Sequence, residues 1–429
     1  MPPFGLVIAD DLTGASDTGH EFAARGLRTL VSASTTTATD SRAETDVWVV
    51  NTDSRYADPS DAAAAVRNAL TTDDHSFVYK KVDSTLRGNL VAETDAALDA
   101  TGADLAVVAP ASPRNGRTTV EGHHLVDGTP VAMTAAGNDP DKPVETSHLP
   151  TRFSKSSYPV SRLGVNRVAT GPTAVADDLQ RYATAGRGVV VADASHEHHL
   201  EAIATGVARS GLNVVYVGSA GLARYVETPY PRGSGSQDVP TRDRTVLCVV
   251  GSTNPVTLEQ LGSLPSESVV SLDLETAVED PASASKDAAT ACEAHLAKDG
   301  VAVLVSAPDE DAPRRALDAG RRIGIDGQTV RARVAETLGA TVQQLWDDDT
   351  DAPESMFVTG GAVAADIFDA LDANGVLLSG EAIEEGIPLG RFSGGVANDV
   401  PVVTKAGAFG SSGAIGKFIA LLSGCNDYE

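Results

Sequence analysis

At 429 residues the chain exceeds the roughly 250–300 at which one hydrophobic core stops growing, so two domains are expected, and 42% hydrophobic content excludes a disordered polymer. Its 59 acidic and 33 basic side chains leave a net charge of −26, built from 39 Asp, 20 Glu, 25 Arg and only 8 Lys. A surface so negative excludes nucleic acid and anionic membrane as partners, and it fits a salt-rich solvent that screens the self-repulsion.

Short β-branched runs alternate with Ala-rich stretches from the start. Phe4–Ala9, Val47–Asn51, Phe77–Val82, Leu105–Ala109, Gly188–Ala192 and Asn213–Val217 read as buried parallel strands. Ser16–Gly26, Ser60–Leu70 and Asn89–Thr101 read as helices between them, so an α/β domain with a mostly parallel sheet is expected over residues 1–227. The Pro-, Gly- and Ser-rich stretch 228–243 has linker composition. Alternation restarts in 244–429, with strands at Thr245–Val250, Val301–Ser306, Met356–Thr359 and Val402–Thr404 and helices at Pro255–Leu261 and Ala362–Leu371. Two α/β lobes around a tether lead us to expect the active site in the cleft between them. The acidic run Asp347–Asp351 reads as a solvated loop.

Cys248, Cys292 and Cys425 form no CxxC pair, which excludes a disulfide framework and a thiolate zinc site and suits a reducing compartment. The opening Met-Pro-Pro-Phe-Gly lacks a basic region followed by an apolar one, and no apolar run reaches the ~20 residues of a membrane span. A soluble, cytoplasmic protein is expected.

Ligands of doubly wound sheets bind beyond the carboxyl ends of the strands. The first strand ends there in Asp10-Asp11-Leu12-Thr13-Gly14-Ala15-Ser16-Asp17. One reading is a strand-to-helix turn capped by Thr13 or Ser16; the other is a carboxylate that grips a hydroxyl or accepts its proton. A later strand ends in Lys80-Lys81-Val82-Asp83-Ser84-Thr85-Leu86-Arg87, two of the eight lysines side by side. An ion pair bracing the turn is the plain reading of this block. A small polyhydroxy acid is the functional one, since Arg holds a carboxylate bidentately while Asp and Ser sort hydroxyls. Arg114, Arg117, His123 and His124 follow a third strand end. His196, His198 and His199 read as a solvated helix end rather than a metal site.

Glycine-rich strand-to-helix turns at Gly251-Ser252-Thr253, Thr359-Gly360-Gly361 and Lys405-Ala406-Gly407 suit phosphate oxygens, which backbone N–H groups and helix N-termini attract. No P-loop, GxGxxG after the first strand, GxSxG or HExxH is present, so serine-hydrolase and zincin chemistry have no footing.

These motifs together resemble the four-carbon acid sugar kinases, a two-domain family. IADDLTGASDTG, KKVDSTLRGN, GRTTVEGHHL, GSAGLA, GST, TGG, EEGIPLG and KAGAFG occur in the family's order. The resemblance implies an ATP-dependent kinase that phosphorylates the terminal O4 hydroxyl of threonate, erythronate or 3-oxo-tetronate. It implies an acid-sugar-binding N-terminal domain, a nucleotide-binding C-terminal domain, and ATP and Mg2+ as cofactors; a homodimer is a separate expectation. Asp11, Asp83 and Lys81 would be catalytic, with Asp10, Thr13, Ser84, Arg87 and Arg117 holding substrate. Ser252, Gly360, Gly361, Val363, Lys405 and Gly407 would contact the nucleotide. Where the family continues its TGG with an acidic residue and a threonine or serine, this chain has Ala362 and Val363. That leaves backbone N–H groups as the contacts there. The rival expectations are a non-catalytic acid-sugar sensor and an NAD(P)-dependent oxidoreductase.

Overall fold

The computed structural model describes residues 4–32, 45–70, 75–139, 141–230, 239, 244–347, 352–425 and 428. They separate into two compact units, the first holding the described residues through 230 and the second those from 239 onward. Apart from residues 228–230 and 239, the expected linker lies outside the described residues, as do residues 348–351 of the acidic run.

Among the described residues the first unit is built on eight parallel strands: β1 (Phe4–Ala9), β2 (Thr29–Ser32), β3 (Val47–Asn51), β4 (His75–Lys81), β5 (Leu105–Ala109), and, after an excursion, β9 (Val160–Leu163), β10 (Gly188–Ala192) and β11 (Val214–Gly218). Their order across the sheet is β2-β3-β1-β4-β11-β5-β10-β9. With helices on both faces, the strands carry unbroken apolar runs such as Leu-Ala-Val-Val-Ala in β5, every residue buried. The excursion folds as a small antiparallel sheet of β6 (Arg117–Val120), β7 (His123–Val126) and β8 (Thr129–Pro130). Sequence periodicity gave no sign of that sheet, because its strands are two to four residues long.

The second unit holds β12 (Val246–Val250), β13 (Val269–Ser271), β14 (Val301–Val305), β15 (Ser355–Thr359), β16 (Gly375–Glu384), β17 (Ile387–Ser393) and β18 (Pro401–Lys405). The order is β13-β14-β12-β15-β18-β17-β16, parallel through β18 and antiparallel beyond it. The sheet is thus mostly parallel, with a β16–β17 hairpin added that the alternation did not reveal. Both units are α/β, and no helix among the described residues is long and apolar enough to cross a membrane.

Candidate functional site

Asp10 and Asp11 leave the carboxyl end of β1, and the helix Leu12–Ala23 starts directly behind them. Asp11, and neither Thr13 nor Ser16, caps that helix: its Oδ1 accepts the Gly14 N–H at 2.9 Å. Thr13 stands half-buried in the first turn. Both carboxylates are gripped by Arg55, four residues past the end of β3. Its Nε and one terminal nitrogen reach Asp10 at 2.9 Å each, and its terminal nitrogens reach Asp11 at 2.8 and 2.6 Å. Sequence reading missed Arg55. The signal was available, because the strand-end rule that selected Asp10 applies equally to β3.

The electrostatics follow from burial. Desolvation alone would raise the Asp10 carboxyl, but Arg55, Lys80 and Lys81 outweigh it and hold the group below the usual carboxylate range. Burial likewise opposes the charge on Arg55, and Asp10, Asp11 and Asp83 more than restore it.

Lys80 and Lys81 close β4, where alternation sends them to opposite faces. Lys80 is fully buried beside Glu93, 3.2 Å away, and donates to the Lys81 carbonyl at 2.7 Å. Lys81 faces the other way, onto the helix Leu12–Ala23: a Cβ built on Gly14 would fall 2.6 Å from both the Lys81 Nζ and Asp11 Oδ1. The glycine therefore keeps an ammonium and a carboxylate side by side. Lys81 is 5% exposed, and its ammonium makes no hydrogen bond or ion pair among the described residues.

Asp83 accepts from the Thr85 hydroxyl at 2.6 Å and from the Arg87 Nε at 2.6 Å. Burial would raise its carboxyl, yet Arg55, Arg87 and Thr85 together hold it far below the usual range. A carboxylate so reluctant to take a proton organises its loop better than it serves as a base. Arg87 also faces Asp139 at 3.6 Å. Ser84 is half-buried, and its carbonyl accepts from the His124 Nε2 at 2.8 Å. Arg117 stands apart from the aspartates, donating to the Asn115 carbonyl, while its charge acts on His124. His196 and His198 are exposed at a helix start, and no three His, Cys, Asp or Glu among the described residues form a metal cluster.

In the second unit the three glycine turns follow β12, β15 and β18, which are neighbours in the sheet, so their loops adjoin. A Cβ on Gly407 would meet Ser252 Oγ at 2.1 Å, and one on Gly360 would meet the Gly251 backbone at 3.4 Å. Gly360 also has a φ of 111°, a conformation that favours glycine. The helix Gly361–Ala370 has no side-chain cap, which leaves its first N–H groups for an anion. Two predicted contacts take other roles. The Val363 side chain is buried, and a Cβ on Gly251 would strike it at 2.3 Å, so it packs beneath the loop rather than lining it. The Lys405 ammonium turns inward to the carbonyls of Ala406 (2.9 Å), Phe409 (3.1 Å) and Gly407 (3.3 Å). Burial lowers its pKa to about 8. It braces the loop it opens.

Known proteins carry the same division. A "Sugar-binding N-terminal domain" matches residues 5–226 and a "Nucleotide-binding C-terminal domain" matches residues 247–415. The chain is 35% identical to the D-threonate kinase of Salmonella typhimurium, covering 96% of each protein. It is 32% identical to the D-erythronate kinase of Heliobacterium modesticaldum, covering 95% of this chain and 94% of that one. A solved Haemophilus influenzae structure, 22% identical, has the same fold with a TM-score of 0.77 over 97% of this chain and 100% of its own. Near-full-length similarity on these terms, together with both domain matches, means that the chain belongs to the four-carbon acid sugar kinase family.

Proposed function

We propose that the chain is a kinase that transfers the γ-phosphoryl group of ATP to the terminal O4 hydroxyl of a four-carbon acid sugar: threonate, erythronate or 3-oxo-tetronate. The first unit holds the acid and the second the nucleotide. The observation that carries this reading is the Lys81 ammonium, unpaired among the described residues and set beside Asp11 across Gly14. A cation next to a carboxylate suits a hydroxyl that must be oriented while negative charge gathers on the group it attacks. Relatives named for three such acids support the substrate class.

Phosphoryl transfer asks the protein chiefly for alignment and charge stabilisation. Asp11, a quarter of its side chain exposed, is the carboxylate best placed to orient the attacking hydroxyl. Asp10 is locked by Arg55, and Asp83 shapes the Ser84–Arg87 turn. Lys81 supports the transferring group. Lys405, with its donors turned to loop carbonyls, keeps the KAGAFG backbone in shape for the nucleotide.

Mg2+ would come to this site with the nucleotide, where the phosphates would supply its ligands and it would offset their charge. The described residues contain no protein cluster for it, and Ala362 and Val363 add no donor side chain. The buried thiols of Cys248 and Cys292, both pushed up by burial, suit a reducing cytoplasm, and the surface charge suits high salt.

The test is ATP consumption against a tetronate panel, with magnesium, in molar potassium chloride. Turnover with at least one tetronate is expected, with phosphate found on O4 by NMR. Binding of a tetronate with no turnover would replace the kinase by an acid-sugar sensor.

A further inference from the structure

The cations at the carboxyl end of the first sheet differ in what they hold. Arg55 is engaged with both Asp10 and Asp11, Arg87 with Asp83, and Lys80 with Glu93. Lys142 donates to the Ala57 carbonyl at 2.9 Å and to Asn89 at 3.3 Å. Arg152 does not follow this pattern. It ends a short helix, Leu149–Arg152, in the excursion between β5 and β9, and it is half-buried. Among the described residues its guanidinium makes one hydrogen bond, to the Gly88 carbonyl at 3.3 Å, and no ion pair.

Gly88 is the seam between Arg152 and the aspartate cluster. Its φ is +86°, and a Cβ there would lie 3.3 Å from Asp10 Oδ2 and 3.2 Å from the Arg55 Cγ. Arg152 therefore hydrogen-bonds the same backbone residue that Asp10 and Arg55 closely approach. Desolvation pulls Arg152 below the ordinary arginine value, and Glu145 and Asp83 offset it only in part. A half-buried guanidinium with most of its donors unengaged is short of an anion.

We propose that Arg152 receives the carboxylate of the acid sugar and so makes the enzyme select acids over neutral polyols. The inference rests on the kinase reading above for the identity of the ligand. Its chemistry is that of the side chain: a planar fork matches a carboxylate with two parallel N–H···O bonds, whereas the compact Lys81 ammonium suits a hydroxyl or phosphoryl oxygen. Arg87 and Arg117, the arginines that sequence reading put forward for this task, are turned to Asp83 and to the Asn115 carbonyl.

The test pairs wild type, Arg152→Met and Arg152→Lys with two ligands, the tetronate that wild type binds best and its neutral amide. Calorimetry reads affinity and steady-state assays read kcat and KM. Arg152→Met is expected to weaken tetronate binding by at least about 30-fold, leave kcat within about threefold, and leave the affinity for the amide unchanged. Arg152→Lys should recover part of the loss for the acid alone. Equal losses for acid and amide, or no loss for either, would overturn the assignment. If Arg152→Met does not fold, the lysine variant decides, since a weakened acid with an unchanged amide is again the expected result. Tetronate binding without phosphorylation would remove the kinase reading and leave Arg152 standing. Phosphorylation with an unchanged Arg152→Met would do the reverse, and no binding of any tetronate by wild type would overturn both.

Discussion

His124 ties the excursion to the Ser84–Arg87 turn through one atom. Its Nε2 faces the Ser84 carbonyl, so that nitrogen carries the proton, and Nδ1 accepts from the Thr119 hydroxyl at 2.9 Å. Burial lowers its pKa from 6.5 to about 4, with Arg117 adding to the shift and the Ser84 carbonyl and Asp83 opposing it. In the folded protein the ring stays neutral until the pH nears 4, whereas in the unfolded chain it takes up a proton near 6.5. The unfolded state thus binds more protons across that window, and stability must fall as pH drops through it, by up to about 3 kcal/mol. Asp10 and Asp83 act below this range, because carboxyls held low in the fold lose their contribution only under the ordinary value of 3.8. Denaturant unfolding of wild type and His124→Gln at pH 7 and 4.5 isolates the effect. Wild type should lose more stability between those pH values than the variant, and parallel curves would exclude His124 as the source.

The two loops that carry Arg55 and Asp83 are held by machinery that lies below them. Lys80 and Glu93 form a buried pair, Glu93 also accepts from Ser54 Oγ at 2.6 Å, and Ser54 Oγ lies 2.7 Å from the Thr52 hydroxyl. Asn89 donates to the Ser54 and Ala57 carbonyls at 2.9 Å. Each loop also includes a non-glycine residue with positive φ, Asp53 at 47° and Leu86 at 65°, conformations that persist only where surroundings impose them. Removing one partner of a buried pair leaves the other charge uncompensated. Glu93→Ala should therefore destabilise by about 3–5 kcal/mol, and the double change Lys80→Met with Glu93→Leu should restore most of it. Urea midpoints of the three variants give the answer, and a double variant as unstable as Glu93→Ala would mean that packing rather than charge is at stake. None of this was legible in the sequence. β-branched runs announce the strands, so β1, β3, β5 and β10 stand at their expected bounds. The strand-end rule then located Asp10, Asp11, Lys81 and Asp83. Which lysine of an adjacent pair turns inward depends on which face the helix Leu90–Thr101 covers. That is a tertiary fact, and so is the seating of Arg55 between two aspartates.

At the scale of the whole molecule, two electrostatic regimes coexist. Pairs at the site are shielded by burial, as with Lys80 and Glu93 at 0% and 1% exposure, and added salt scarcely reaches them. The surface carries the net −26, and its pairs, such as Arg315 with Asp309 and Arg321 with Asp318, are exposed and individually weak. Repulsion among the excess carboxylates opposes the compact state at low ionic strength. Raising the salt shortens the screening length from about 10 Å at 0.1 M to about 3 Å at 1 M, which removes repulsion from the surface and leaves the buried pairs in place. The unfolding temperature should therefore climb by several degrees or more between 0.1 and 2 M potassium chloride, with most of the gain in the first molar. Sucrose, which strengthens burial without screening charge, should reproduce little of that gain. The comparison is made by calorimetry on the intact chain. An unfolding temperature indifferent to potassium chloride, or raised as much by sucrose, would mean that the carboxylates are spaced widely enough to ignore one another, and that the acidic surface has a cause other than salt.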